Sequence, residues 1–282
     1  MMLPLQILPS TTSHKREPLL PTLEVFARLG LRDLDLNLNH LVEDDTPTPA
    51  GLGQRIDRPG GRGPRIDPAT VLAALTANQQ RVWIVSGGWC DFFDPEPEIQ
   101  RTFSSVDRQV DLARTLGVST LRLFFGRLPY DRYVPEAHAT IVSNIQQLGR
   151  RYPDIRFVFE NHDGASSHPD VCRSILEDVA LPNVRLNFDP INFEHRGVDS
   201  LGAVRQLVPL IAHVHLKGYE RGGFCEFGAG DVDLTPVLDT LIGRGYRGAF
   251  TVEYEGTFDR TLRLFQGVRN ATAAIERLRA LA

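Results

Sequence analysis

The sequence predicts a single-domain α/β protein with the (β/α)8 TIM-barrel fold. Short apolar runs alternate with helical patterns eight times, no internal repeat or linker interrupts this order, and the length of 282 residues suits one barrel. An open, doubly wound sheet is the structural alternative, but no Gly-x-Gly-x-x-Gly segment follows the first strand to support a dinucleotide site. We therefore expect one barrel domain over residues 1–282.

The first half of the chain supplies four strands and four helices. Each predicted strand is a short apolar run that ends in glycine, proline or polar residues, and each helix has apolar residues at helical spacing. Helix ends carry cap signals, such as Asp67-Pro68 at a start and Gly30 or Gly117 just past an end. In chain order the predicted elements are the strand Leu3–Pro9, the helix Pro18–Leu29, the strand Leu31–Leu41, the helix from Asp67, the strand Arg81–Val85, the helix Pro97–Leu116, the strand Thr120–Phe125 and the helix Glu136–Tyr152.

Residues 43–68 interrupt this pattern with a long segment that has almost no apolar side chains. Glu43-Asp44-Asp45 is followed by prolines, glycines and arginines. A loop of this length inside a compact domain is usually functional or disordered. We interpret it as a lid over the mouth of the barrel, and a surface insertion is the alternative.

The last four strands each end in a side chain that can bind a hard metal ion. These strands are predicted at Arg156–Glu160, Val184–Asp189, Ile211–His215 and Ala249–Glu253, with helices at Pro169–Val179, Ser200–Leu210, Leu234–Arg244 and Asp259–Leu281. The carboxyl ends of parallel barrel strands converge on one mouth. Side chains that are tens of positions apart in the chain are therefore expected to meet around one ion.

The expected metal ligands are Glu160, Asp189, His215 and Glu253. Each of them alone is weak evidence, but the joint pattern places charges in segments that are otherwise too apolar to tolerate them. Buried carboxylates must be paired or bound to metal, so an ion-pair network is the alternative. Three carboxylates and one imidazole with open positions suit Mn²⁺, Mg²⁺ or Co²⁺ better than a closed tetrahedral zinc site, and Zn²⁺ stays an alternative.

The composition of the chain indicates which classes of binding partner to expect. A net charge of -4 gives no long-range attraction to nucleic acid, and no uncharged apolar run is long enough to span a bilayer. The three cysteines are odd in number and lack the spacing of a zinc site, which indicates free thiols in a reducing compartment. We expect a cytoplasmic enzyme with a small-molecule substrate, without nucleic-acid or membrane partners. The sequence is compatible with a homo-oligomer.

Several segments resemble the xylose isomerase-like barrel superfamily of sugar isomerases and epimerases, also described as the sugar phosphate isomerase/epimerase family. They are Glu160-Asn161-His162, Phe188-Asp189-Pro190-x-Asn192, His213-Val214-His215-Leu216-Lys217, Gly228-Ala229-Gly230-Asp231-Val232-Asp233, and Gly245-Tyr246-Arg247-Gly248 leading into Val252-Glu253. The resemblance implies a (β/α)8 fold, one divalent ion held by Glu160, Asp189, His215 and Glu253, and chemistry at a carbon next to a carbonyl. Members include ketose 3-epimerases, hydroxypyruvate isomerases, inosose and dehydroshikimate dehydratases and, more distantly, endonuclease IV.

Departures from the family pattern limit how far the resemblance identifies one member. Many members have aspartate after the His-x-Lys segment, where this chain has Gly218-Tyr219. Ketose 3-epimerases have a histidine where this chain has Asn192, which puts that activity in doubt. Endonuclease IV needs a richer set of histidines and carboxylates for three zinc ions. An arginine six residues past the metal histidine is shared, at Arg221.

The expected catalytic residues are Glu160 and Glu253, with His162 and Lys217 beside them. One glutamate removes a proton next to the carbonyl and the other returns one, through an enediolate that the metal stabilises. His162 and Lys217 each lie two residues past a ligand, on the same face of the strand. They are candidates for substrate contacts or acid/base work, and a salt bridge to Glu255 or Asp163 is the alternative.

The expected substrate-binding residues are Trp89, Asn192 and Arg221, although a core role is the alternative for Trp89. The leading functional hypothesis is a metal-dependent isomerase or epimerase of a free sugar or polyol. The first alternative is a lyase that dehydrates a keto-polyol of the inosose, dehydroshikimate or 3-keto-glycoside type. The second is a sugar-binding barrel without catalytic activity.

Overall fold

Eight parallel strands form a nearly closed barrel with helices between them, which confirms the predicted single-domain TIM barrel. The structure is a computed structural model that describes residues 6–15, 17–38 and 66–281. The strands are β1 (Ile7–Pro9), β2 (Asp33–Asn37), β3 (Arg81–Ser86), β4 (Thr120–Phe124), β5 (Arg156–Glu160), β6 (Val184–Phe188), β7 (Ile211–Leu216), β8 (Gly218–Glu220), β9 (Gly223–Cys225) and β10 (Ala249–Val252). Strands β1 to β7 and β10 form the barrel, in the order β1-β10-β7-β6-β5-β4-β3-β2, and β8 and β9 form a separate hairpin.

The helices form the outer layer. They are α1 (Leu19–Arg28), α2 (Pro68–Ala77), α3 (Ile99–Thr115), α4 (Pro135–Arg151), α5 (Pro169–Val179), α6 (Pro190–Glu194), α7 (Ser200–Leu207), α8 (Thr235–Gly243) and α9 (Arg260–Leu281). The main hydrophobic core lies between these helices and the outward faces of the strands, as where Phe103 and Val106 of α3 join Leu121 and Leu123 of β4 in one buried cluster. No described helix is long and apolar enough to cross a membrane.

The predicted and observed elements agree in type and differ at their ends. The helix predicted at Ser200–Leu210 becomes a 3-10 turn at Val208, because Pro209 has no N–H with which to continue the α-helical hydrogen bonds. Residues 3–5 of the first predicted strand, residues 39–41 of the second, and residues 43–65 of the predicted lid lie outside the described residues.

Two short elements at the mouth of the barrel were not predicted. Helix α6 begins directly after Asp189, whose Oδ1 accepts hydrogen bonds from the backbone N–H groups of Ile191 and Asn192 at 2.9 and 3.1 Å. The β8–β9 hairpin follows β7 directly. A helix of five residues and strands of three are too short to produce a detectable periodicity.

The barrel closes between β1 and β2. Ser10, directly after β1, pairs with Asp35 of β2 in a single parallel bridge. The Ser10 N–H also donates to the carbonyl oxygen of Val252, at the end of β10, at 2.9 Å. The seam therefore brings the end of β2 and the end of β10 to the same mouth.

The inside of the barrel changes from apolar to polar along its axis. Leu8, Ile84 and Val158 come from β1, β3 and β5, and they form a small apolar cluster of their own with Ala212 packed against it. Side chains from alternate strands form such layers in a barrel. Nearer the carboxyl ends the inward side chains are polar and buried, namely Ser10, Asp35, Ser86, Arg122, Glu160, Asn187 and Thr251.

Candidate metal centre

The four expected metal ligands come from the carboxyl ends of four barrel strands. Glu160 is the last residue of β5, Asp189 follows β6, His215 lies in β7, and Glu253 follows β10. All four side chains are buried. They lie on neighbouring strands because the sheet order runs β5-β6-β7-β10.

His215 lies at the centre of this group. Ligand atoms of Glu160, Asp189 and His215 are all within 4.8 Å of one another. The Nδ1 atom of His215 is 3.6 Å from Glu160 Oε2 and 3.5 Å from Glu253 Oε1. One imidazole nitrogen is therefore flanked by two carboxylates from different strands.

The donor set fits a divalent cation. Both ring nitrogens of His215 are buried, and neither makes a hydrogen bond with any residue that the structure describes. A buried polar atom without a partner costs about 1–3 kcal/mol. A cation with about 2.0–2.2 Å bonds to nitrogen and oxygen would use these lone pairs, and the three carboxylates would supply the negative charge that it needs.

Protein donors fix Glu160 in place. Its Oε1 accepts a hydrogen bond from Asn192 Nδ2 at 2.9 Å, and its Oε2 accepts one from Asn187 Nδ2 at 3.3 Å. The Nε atom of Arg122, a buried residue of β4, is 3.3 Å from the same Oε2. Glu253 is held more loosely, since the Ser10 hydroxyl donates to its Oε1 at 3.5 Å.

Lys217 is buried and paired with two carboxylates. Its side chain is 1% exposed, and Nζ lies 2.6 Å from Glu255 Oε1 and 3.0 Å from Asp189 Oδ2. Burial works against the ammonium, but Asp189 and Glu255 outweigh it and hold the pKa of Lys217 well above its ordinary value. The salt bridge to Glu255, given above as the alternative for Lys217, is present together with a contact to a candidate ligand.

The charges inside the site shift one another's protonation equilibria. Burial opposes ionisation of Glu253, but the charges of His215 and Lys217 hold its pKa well below the ordinary value. Burial also opposes protonation of His215, yet Glu253 and Glu160 hold its pKa well above the ordinary value. Burial raises the pKa of Asp189, and Lys217 partly offsets this effect. Glu160 and Glu253 thus favour a positive charge at the position of His215, which lies between them.

Asp35 is a member of the site that the sequence analysis did not single out. Its Oδ2 is 3.6 Å from His215 Nε2, and its Oδ1 accepts a hydrogen bond from the Ser86 hydroxyl at 2.7 Å. Asp35, His213 and His215 form a second group whose ligand atoms lie within 4.8 Å of one another. The alternation of leucine with polar residues in β2 was visible in the sequence, but it did not show that the polar face lines the barrel.

His162 and Trp89 form an aromatic wall beside Glu160. Trp89 stacks on Phe124 with ring centroids 4.2 Å apart, and the His162 ring packs edge-on against both at 5.1 and 5.0 Å. The Arg127 guanidinium group lies over the Trp89 ring, 3.6 Å from its centroid. The His162 Nδ1 atom also lies 3.1 Å from Oδ2 of Asp163, the residue given above as its alternative partner.

The structure brings Asn192 into the site and leaves Arg221 outside it. Asn192 is buried and contacts Glu160. Arg221 lies at the tip of the β8–β9 hairpin with a left-handed φ of 48°, and its side chain is 87% exposed. Its nearest charged partner among the described residues is Glu220, at 4.0 Å. The spacing that Arg221 shares with the family does not bring it to the candidate metal ligands.

Comparison with known proteins gives curated relatives over part of the chain. The uncharacterized protein YihM of Escherichia coli is 28% identical over 152 residues, which are 50% of this chain and 45% of YihM. An inosose dehydratase of Clostridium perfringens is 26% identical over 142 residues, which are 43% of this chain and 48% of that protein. The chain spans about half the length of the curated relatives it matches.

Solved structures match over almost the whole chain, at identities that show the fold alone. The probable 3-DHS dehydratase AsbF from Bacillus anthracis has a TM-score of 0.74 at 15% identity, covering 95% of this chain and 99% of AsbF. An L-ribulose 3-epimerase has a TM-score of 0.77 at 13% identity, covering 98% and 96%. The IOLI protein, solved with a bound zinc atom, has a TM-score of 0.75 at 14% identity, covering 97% and 98%.

One family covers most of the sequence, and its barrel fold agrees with the structure. Residues 64–281 match the family described as xylose isomerase-like TIM barrel. Members of this family include isomerases, epimerases and dehydratases. The chain belongs to the xylose isomerase-like TIM barrel family.

Proposed function

We propose that this protein is a divalent-metal-dependent isomerase or epimerase of a free sugar or polyol, which moves a proton at the carbon next to a carbonyl. One observation carries the proposal: Glu160 Oε2 and Glu253 Oε1 lie on either flank of His215 Nδ1, at 3.6 and 3.5 Å, in a buried group at the barrel mouth. Two carboxylates in one buried group can divide the work of removing a proton and returning one.

Glu160, Asp189, His215 and Glu253 would hold the ion, and Mn²⁺ is our first choice because the set is rich in oxygen. The bound ion supplies positive charge that stabilises an oxyanion on the substrate. The zinc atom in the IOLI structure makes Zn²⁺ the second choice.

The two glutamates are held differently, and both take part in the proposed proton transfer. Asn192 and Asn187 fix both oxygens of Glu160, so this carboxylate is aimed before substrate arrives. Among the described side chains, the one hydrogen bond to the Glu253 carboxylate is the long one from Ser10, at 3.5 Å, which leaves this carboxylate freer to turn towards a substrate. One glutamate accepts the proton from carbon, and the other donates a proton to the opposite face or to the neighbouring carbon.

Other residues hold and shape the site. Trp89 and His162 provide an aromatic wall beside Glu160 against which a sugar ring or chain can pack. Asn192 acts by orienting Glu160, because its side-chain amide donates a hydrogen bond to that carboxylate. Lys217 acts by holding Asp189, because its ammonium group is paired with that carboxylate. We assign no role to Arg221, because its side chain is exposed at the hairpin tip.

A dehydratase is the second candidate. It is favoured by the sequence match to an inosose dehydratase and by the structural likeness to AsbF, a probable 3-DHS dehydratase. The same first proton transfer would be followed by loss of a hydroxyl group from the next carbon. The two candidates therefore differ in the mass of the product.

The test is turnover of a panel of ketoses and cyclic keto-polyols in D₂O, followed by mass spectrometry. Isomerisation or epimerisation keeps every atom of the substrate except the hydrogen at carbon that is exchanged for solvent deuterium, whereas dehydration removes one water. Glu160→Gln and Glu253→Gln should abolish turnover, and Glu276→Gln, a matched change at an exposed position of α9, should not. If the intact protein binds Mn²⁺ and sugar but converts none of the panel, the protein is a sugar-binding barrel and the catalytic proposal fails.

A further inference from the structure

A cavity lined by arginines lies at the end of the barrel opposite the candidate metal centre. Its volume is about 460 Å³, and four of its lining residues are Arg156, Arg185, Arg244 and Arg247. No aspartate or glutamate is among the described residues that line it. A cavity of this size is large enough for a small-molecule ligand.

Two of the arginines belong to the barrel strands. Arg156 is the first residue of β5 and lies two positions before Val158, which faces the barrel interior. Arg185 lies in β6, two positions before Asn187, whose side chain reaches Glu160 inside the barrel. Side chains two apart on a strand share a face, so both arginines point towards the barrel axis at its amino-terminal end.

The apolar layer of the barrel separates this cavity from the metal centre. Ala212, which lines the cavity, packs against the cluster of Leu8, Ile84 and Val158. The metal ligands lie beyond that cluster, at the carboxyl ends of the strands. The two sites therefore do not share residues.

The other two arginines flank a rigid turn between α8 and β10. Gly245 has a φ of +82°, and the buried Tyr246 donates a hydrogen bond from its hydroxyl to the Ala249 carbonyl oxygen at 2.7 Å. A Cβ atom at Gly248 would lie 2.3 Å from the Tyr246 hydroxyl oxygen, so only glycine fits there. Arg247 Nη1 donates to the Tyr246 carbonyl oxygen at 2.9 Å. The turn thus fixes the backbone from which Arg244 and Arg247 extend.

The four cavity arginines have no acidic partner among the described residues. Arg114 pairs with Asp154 at 2.9 Å and Arg151 with Asp107 at 2.6 Å, but none of the four cavity arginines forms an ion pair with a described residue. Four like charges around one cavity repel one another. Guanidinium groups bind oxyanions through paired, planar hydrogen bonds, and a tetrahedral phosphoryl group can accept such bonds from several of them together.

We infer that the amino-terminal mouth of the barrel, lined by Arg156, Arg185, Arg244 and Arg247, is a binding site for a small molecule that carries a phosphoryl or diphosphoryl group. This inference stands apart from the proposed function, because it uses neither the metal ligands nor the catalytic glutamates. The ligand is recognised by its charge and its tetrahedral oxygens.

The test is isothermal titration of the full chain with pyrophosphate at constant ionic strength. We expect saturable binding of one pyrophosphate, and we expect Arg156→Gln and Arg185→Gln each to weaken it at least about tenfold, the loss of one charged hydrogen-bonding partner. Arg173→Gln is the matched control, since it removes one exposed arginine that pairs with Asp170 outside the cavity. Its affinity should equal that of the wild type.

Three results would overturn the inference. The first is absence of saturable binding to the wild type, and the second is equal affinity in the cavity variants and the wild type. The third is tighter binding of citrate than of pyrophosphate, which would assign the site to carboxylates. Binding that survives Glu253→Gln but not Arg185→Gln supports the inference and separates this site from the metal centre.

Discussion

Replacing Asp35 by asparagine should weaken metal binding without removing a ligand. Asp35 Oδ2 lies 3.6 Å from His215 Nε2, the ring nitrogen that faces away from the two flanking glutamates. When Nδ1 is bound to an ion, Nε2 carries the proton, and a carboxylate next to it orients the ring and increases its basicity. Asparagine keeps the shape and can still accept the hydrogen bond from Ser86, but it removes the charge.

The expected size of the effect follows from the distance. Coulomb's law with an effective dielectric constant of about 20 gives about 4.6 kcal/mol for two unit charges 3.6 Å apart. This is an upper limit, because a metal-bound imidazole carries only part of a unit charge. Loss of such outer partners typically costs 10–100-fold in metal affinity, or about 1.4–2.7 kcal/mol. We expect Asp35→Asn to fall in that range.

The assay is competition for Mn²⁺ with a fluorescent chelator. Asp33→Asn is the matched control, because Asp33 lies on the same strand and contacts Arg81 and Trp83 at the surface. Asp33→Asn should bind Mn²⁺ as the wild type does. If Asp35→Asn also binds as tightly as the wild type, the orienting role of Asp35 is refuted, whereas a wild type that binds neither Mn²⁺ nor Zn²⁺ refutes the metal centre itself.

Three further predictions concern stability. Removal of bound metal by a chelator should lower the melting temperature, because an ion at about 100 times its Kd adds about 2.7 kcal/mol to the free energy of unfolding. An equal melting temperature for the metal-loaded and the chelated protein would contradict this prediction. Lys217→Met should lower the free energy of unfolding of the metal-free protein by about 3 kcal/mol in urea titrations, because Asp189 and Glu255 lose a buried partner. Added Mn²⁺ should restore part of that loss, and an equal loss with and without metal would argue against Asp189 as a ligand. Burial and the charge of Arg260 lower the pKa of His14 to about 4, below the value near 6.5 in the unfolded chain. The unfolded state therefore takes up a proton first, so His14 destabilises the fold as the pH falls from about 6.5 to 4. The difference in the free energy of unfolding between the wild type and His14→Asn should shrink over that range. A constant difference would contradict the low pKa of His14.

The candidate ligands could be predicted from the sequence because each depends on a local signal. Glu160, Asp189, His215 and Glu253 each stand at or near the end of a short apolar run, and that position needs only the period of the strand and the turn residues after it. The fold class followed from the same alternation of strands and helices. These features are encoded within a few residues of one another, so the sequence alone determined them.

The partners of those ligands were decided only by the tertiary structure. Whether the polar face of β2 lines the barrel depends on closure of the seam between Ser10 and Asp35, and only that closure puts Asp35 beside His215. Register between strands decided that Arg122 reaches Glu160. The hairpin geometry decided that Arg221 lies at the surface, although its spacing from His215 matched the family.

The arginine-lined cavity could not be predicted from the sequence for the same reason. Arg156 and Arg247 are 91 positions apart, and their sequence neighbours give no sign that they share a cavity. The chain specifies which side chains occupy the ends of each strand. Contacts between distant strands exist only once the barrel has closed, because closure and register fix which ends lie next to one another.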